Sequence, residues 1–149
     1  MMSGSIRRIA AAGMVVAGLM ISGCGGSSES SLTKAQFVTQ ANKICREGED
    51  RRSKRVNELA EERANKNSTA ASRDDVVFDI LAIYEETTEQ LSDLGQPKGE
   101  EEKAEAIVEA MEKAAERVRA DPQSALTSDL PFREANKLAE SYGLTSCDT

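Results

Sequence analysis

Leu32-Thr33-Lys34-Ala35-Gln36-Phe37-Val38-Thr39-Gln40-Ala41-Asn42-Lys43-Ile44-Cys45 is the stretch from which the fold can be read. Thr33 can accept from the Gln36 amide, and the Gln36 side chain can reach back to the Thr33 amide, which makes a capping box. Leu32 before the cap and Phe37 at the fourth helical position form the matching hydrophobic staple. The helix that follows puts Phe37, Ala41, Ile44 and Cys45 on one face at three- and four-residue steps. Gly48 continues that face, where a small residue allows close approach or marks a bend. Arg46 to Arg55 is densely charged, and Val56, Leu59 and Ala60 then resume an apolar stripe. The spacing predicts one long helix, or two collinear ones, fading by Ala64.

Downstream, residues 65–69 read as a loop, and Ser72-Arg73-Asp74-Asp75 opens a second helix. Val77, Ile80, Leu81, Tyr84, Thr88, Leu91 and Leu94 keep helical spacing along it. Gly95 and Pro97 stop it, through a left-handed cap and a residue that cannot continue a helix. Glu100-Glu101-Glu102 then crowd the first turn of a third helix, where carboxylates complement the positive dipole end. Its stripe, Ala104, Ile107, Val108, Met111, Ala114, Ala115 and Val118, is rich in small residues and should pack closely. Asp121-Pro122 is a stop and restart, with Ala125 and Leu126 in a short helical turn. Leu130-Pro131 begins the last helix with Pro at its first position. Phe132, Ala135, Leu138, Ala139 and Tyr142 face inward, Gly143 caps, and Leu144 folds back just before Cys147. No period-two alternation persists anywhere. The expected domain over residues 32–149 is all-α, an antiparallel four-helix bundle with short loops.

Upstream, residues 1–23 carry the parts of an export signal. Arg7 and Arg8 supply the positive start, Ile9 to Ile21 an apolar run, and Ser22-Gly23 the small residues a peptidase needs. The run falls short of the roughly 20 residues of a comfortable membrane span. Ile21-Ser22-Gly23-Cys24 resembles the bacterial lipoprotein signal, in which Cys24 receives a diacylglyceryl group and becomes the first mature residue. An ordinary cleavable signal with an incidental Cys, and an uncleaved anchor, are the alternatives. Residues 24–31, Gly/Ser-rich after Cys24, read as a flexible tether that keeps the domain within about 15 Å of the anchor on average. The expected location is the extracytoplasmic face of the bacterial cell membrane. Loss of residues 1–23 would remove two arginines and no acid, moving the net charge from −7 to −9. Such a surface repels nucleic acid, and no nucleic-acid partner is expected.

Of the three cysteines, lipidation commits Cys24 and leaves Cys45 and Cys147. Disulfides persist outside the cytoplasm, and two cysteines allow one intramolecular pairing. The rival readings are two free thiols or a two-Cys metal site; the latter lacks histidine and the four ligands a closed site usually needs. With these two in a bridge, the bundle is tied by one disulfide.

The pattern Thr33-Lys34-Ala35-x-Phe37…Ala41-Asn42-x-Ile44-Cys45, closing on Tyr142-Gly143-Leu144-x-x-Cys147, resembles small exported helical proteins and lipoproteins of actinomycete-type bacteria. In these a Phe-x-x-x-Ala-Asp/Asn-x-Ile-Cys segment near the mature start is matched by a Gly-Leu-x-x-Cys ending. The resemblance spans the mature domain in outline and implies a disulfide-tied helical bundle. It carries no catalytic residue onto this chain.

The absence of histidine excludes Ser-His and Cys-His nucleophilic sites and Glu-x-x-His di-iron centres. No phosphate-binding Gly motif follows a strand. Glu85, Glu86 and Glu89 share part of a helix surface, as acids on a solvated face do, and no Asp-rich loop has EF-hand spacing. Neither a metal nor another cofactor is expected. Arg51, Arg52, Lys54 and Arg55 form a basic cluster that could contact anionic lipid headgroups, each cation contributing up to about 1 kcal/mol at the surface; neighbouring acids would make it an ordinary solvated helix segment instead. Residues 128–132 could form a binding lip or a plain loop. The resulting expectation is a lipid-anchored binding, interaction or envelope-structural component that is not an enzyme and has an envelope protein as partner. The alternatives are a ligand-binding lipoprotein accessory to a transporter or sensor, with an apolar pocket between the second and third helices, and a carboxylate-based enzyme.

Overall fold

The computed structural model describes residues 32–65 and 72–148. The signal segment, Cys24, the tether and most of the 65–69 loop lie outside the described residues. The described chain is all-helical, with helices α1 (Lys34–Ala64), α2 (Arg73–Asp93), α3 (Glu101–Ala120), α4 (Pro122–Thr127) and α5 (Arg133–Tyr142). None of these helices is long and apolar enough to cross a membrane.

Helix α1 starts as its sequence dictates. The Gln36 amide donates to Thr33 Oγ1 at 3.3 Å, and the Thr33 amide donates to Gln36 Oε1 at 2.9 Å. Leu32 and Phe37 join the same apolar cluster, and the Leu32 carbonyl accepts from the Lys98 amide at 2.9 Å. That bond fixes the start of α1 to the α2–α3 connection, whose Pro97 is fully buried. The helix runs through Gly48 without a break. Its second half departs from the expected stripe: Leu59 is buried, but Val56 is 48% exposed and Ala60 is exposed. Past Gly48, the positions that follow the inward face by four and three residues are Arg52 and Arg55, so the apolar seam does not resume until Leu59.

Helix α2 is opened by a second capping box, with the Asp75 amide donating to Ser72 Oγ at 3.1 Å and the Ser72 amide to Asp75 Oδ2 at 2.9 Å. Its inward residues Val77, Leu81, Tyr84, Thr88 and Leu91 are joined by Thr87. Against them packs the small-residue face of α3, where Ala104, Ile107, Ala110, Met111, Ala114, Ala115 and Val118 are buried. Small side chains on one helix let the other approach closely, and the core is filled by interdigitation. The acids before α3 divide their roles. Glu100 is its N-cap without a side-chain cap bond, and Glu101 Oε1 accepts from the Gly99 amide at 2.9 Å.

The turn expected at Ala125 and Leu126 is the six-residue helix α4, with Pro122 at its first position. Gln123 Nε2 donates to Asp74 Oδ1 at 2.6 Å, bringing α4 to the start of α2. The last helix begins two residues later than its proline suggests. The Asp129 carbonyl accepts from the amides of Phe132 and Arg133, a turn that places Pro131 before the helix, where its carbonyl accepts from Arg117 Nη1 at 3.3 Å. At the far end, Gly143 takes φ 102°, and the Leu144 amide donates to the Ala139 carbonyl at 2.8 Å. This left-handed cap folds Leu144 back into the core, where it is 1% exposed.

Gly48 is required by packing. A Cβ built there would lie 2.4 Å from Thr87 Oγ1, and that hydroxyl is held by its bond to the Ile83 carbonyl at 2.8 Å. Replacing Gly by Ala gains up to about 1 kcal/mol of helix propensity, whereas overpacking costs about 1–3 kcal/mol. Gly48→Ala should therefore lower stability in chemical denaturation, and Thr87→Ala in the same chain should recover part of the loss. A second expectation concerns acid. The bonds from the Ser72 hydroxyl and then its amide hold the Asp75 carboxyl below its ordinary value. The stability this adds is present above the ordinary carboxylate range and is lost as pH falls through the lowered native value. Asp75→Asn should flatten that part of the stability–pH curve on the acid side.

Candidate functional site

The two ends of the described chain meet on one side of α1. Cys45 Sγ and Cys147 Sγ lie at disulfide distance, 2.02 Å, with 102 residues between their positions. One turn earlier, Asn42 Nδ2 donates to the Gly143 carbonyl at 3.0 Å and Asn42 Oδ1 accepts from the Ser146 amide at 2.9 Å. One amide side chain thus satisfies two backbone groups that the left-handed turn after α5 leaves unpaired. A turn earlier again, the Phe37 and Tyr142 rings meet edge to face at 5.9 Å, and Lys34 Nζ sits 4.5 Å from the centroid of the Tyr142 ring. Burial, then the nearby Glu100 and Glu101 charges, pushes the Tyr142 phenol up and keeps it neutral. The Phe/Ala-Asn/Cys segment and the Tyr-Gly-Leu/Cys segment are therefore the two halves of one staple.

A cleft of about 40 Å³ opens beside the staple, lined by Cys45, Gly48, Arg52, Tyr84, Thr87 and Met111 among others. It has room for a water or two, far from the roughly 300–1,000 Å³ of a pocket for an organic ligand. The Tyr84 hydroxyl is buried with no hydrogen-bond partner among the described residues. Burial drives its phenol well above the usual range.

The basic cluster is engaged within the fold. Arg51 pairs with Glu86 on α2 and reaches Thr87 Oγ1 at 3.5 Å. Arg55 donates to Asp79 Oδ2 through Nη2 at 2.6 Å and Nε at 3.2 Å. The Asp79 bond is the main cause of a raised Arg55 pKa, against the opposing effect of burial. Arg52 pairs with Glu49, and Lys54 lies 3.8 Å from Glu58, both along α1 itself. Pairs this exposed contribute about 0–1 kcal/mol each. The candidate carboxylates diverge as well: Glu85 pairs with Arg119 of α3, whereas Glu86 faces α1. Among the described residues no group of three His, Cys, Asp or Glu is placed to hold a metal ion.

Between α2 and α3 the space is filled by Leu81, Leu91, Ile107, Met111 and Ala114, all buried. The open groove above, about 350 Å³, is rimmed by Glu85, Glu89, Glu112, Glu116 and Arg119. Residues 128–132 are anchored at Pro131 by Arg117 and at Phe132 by the Tyr84 ring, 5.2 Å away, while Leu130 is 58% exposed. The sequence reading missed the tie made by Asn42 and Ser146, and the contact of Gly48 with Thr87. A polar residue flanking the apolar stripe of α1, three residues before Cys45, is the signal that pointed to the first.

No protein-family model, curated protein or solved structure matches this chain.

Loss of the bridge in Cys45→Ser or Cys147→Ser should lower stability by about 2–5 kcal/mol. Asn42→Ala leaves two backbone groups unpaired and should cost about 1–3 kcal/mol. Because Asn42 and Cys45 hold the same segment, the double variant should lose less than the sum of the singles in denaturant titrations.

Proposed function

We propose that the protein is a lipid-anchored extracytoplasmic component of the bacterial envelope, with Cys24 carrying a diacylglyceryl group and the helical domain acting as a binding, interaction or structural module with an envelope protein. Four of its helices, α1, α2, α3 and α5, would form an antiparallel bundle, with α4 as a short connector. The observation that carries this reading is the staple, read with Ile21-Ser22-Gly23-Cys24. A disulfide closing a small domain suits an oxidising compartment, and residues 25–33 are all that separate the proposed anchor from α1. A tether so short would hold the Leu32 end of the domain against the lipid surface. The filled α2–α3 interface favours interaction through the surface over capture of a soluble ligand. In this reading Lys54, whose side chain is 79% exposed, is the best placed of the four cluster cations to meet a headgroup, because Arg51 and Arg55 are occupied by α2.

Expressed from its full sequence in an actinomycete-type host, the protein should fractionate with membranes, and its N-terminal peptide should carry the lipid mass on Cys24. Cys24→Ala should move it to the soluble or secreted fraction with the Cys45–Cys147 bridge intact. A wild-type protein in the soluble fraction with an unmodified Cys24 would refute the anchor.

A further inference from the structure

The contacts between α1 and α2 follow one antiparallel register. Gly48 meets Thr87, Arg51 meets Glu86, and Arg55 meets Asp79. At the helical spacing of three and four residues, that register sets Arg52 opposite Ile83, Arg55 opposite Ile80 and Leu59 opposite Val76. Arg52 and Ile83 do line the same cleft. An apolar stripe of α2 is thus covered by two arginines where apolar partners would complete the seam. Their side chains are 31% and 30% exposed, with the stems on the stripe and the heads in ion pairs. Arg51 Nε is buried without a hydrogen-bond partner among the described residues, and Val56 turns outward. The first half of α1 differs in kind. Phe37, Ala41 and Cys45 belong to the main core cluster, and Asn42 and Cys45 are fastened to the segment after α5.

We propose that α1 beyond Gly48 is a strap that lifts from α2 as a unit while the first half stays fixed, uncovering Val76, Ile80 and Ile83. Gly48 is the natural pivot. It is the last tight contact before the polar seam, and a glycine bends a helix more readily than any other residue there. Opening of this kind belongs to the low-stability end of a fold, where few apolar contacts and exposed ion pairs hold an element.

Hydrogen exchange on the full-length chain in non-ionic detergent tests the strap. Residues 52–58, clear of the fraying last turn, should exchange at least about tenfold faster than residues 38–47. The ratio should widen from about 0.01 M to about 1 M NaCl, over which the Debye length falls from about 30 Å to about 3 Å. Arg52→Leu with Arg55→Leu, which makes the seam apolar and leaves Arg51–Glu86 as its ion pair to α2, should slow exchange in 52–58 and reduce its salt dependence. Should that variant fail to fold, Asp79→Asn is the second probe: by removing the partner of Arg55 it should speed exchange in 52–58 and leave 38–47 unchanged. Equal protection of both halves at both salt concentrations overturns the strap. So does a folded double-leucine variant that exchanges as the wild type does, or an Asp79→Asn variant without effect.

Discussion

Closure between α1 and the segment after α5 is the constraint on which the remaining packing depends. Helix α1 offers the core few large side chains. Phe37 is its one buried aromatic, beside Ala41, Cys45 and Gly48, and covalent and polar ties add to what that burial supplies. The Cys45–Cys147 bridge, the two bonds of Asn42 and the Phe37–Tyr142 contact fasten that half at three successive turns. A bridge across 102 positions removes from the unfolded chain about 4–5 kcal/mol of loop freedom in the chain-entropy model. In a domain with little aromatic surface to bury, a constraint of that size is a large share of the roughly 5–15 kcal/mol by which proteins are stable.

The staple also explains why polar residues are tolerated nearby. Once the first half of α1 is fixed, its second half is delivered to α2 by helix continuity through Gly48. It needs little intrinsic affinity for the surface it covers. Ion pairs to Asp79 and Glu86 then set register more than they add stability. The same logic holds at α3, where alanines permit close approach to α2 and α5 while Arg117 and Arg119 reach Glu134 and Glu85 from the rim.

Leu32, the first described residue, has its carbonyl bound to the α2–α3 connection, so the proposed anchor at Cys24 would bring that end of the domain toward the membrane. The acids and arginines of α2 and α3 are spread along helix flanks and paired across to neighbouring helices.

Local signals decided the helices because the groups that start and stop them are neighbours in sequence. Thr33 with Gln36, Ser72 with Asp75, Gly143 with Leu144, and the three- and four-residue spacing of α2 and α3 fix their elements whatever packs against them. The cysteine count likewise left a single pairing once Cys24 was set aside. Tertiary structure decided what periodicity cannot express. It put Arg52 and Arg55 on a face that spacing alone assigns to apolar residues, since long stems can cover apolar surface while the Arg55 head reaches Asp79 on α2 and the Arg52 head reaches Glu49 one turn back on α1. It held Pro131 two residues ahead of α5, because Asp129 and Arg117 claim the neighbouring backbone groups. It made Asn42 a structural clamp, because the groups it satisfies are 101 and 104 residues away. Spacing along a chain reports a face; what meets that face is settled only when distant segments come together.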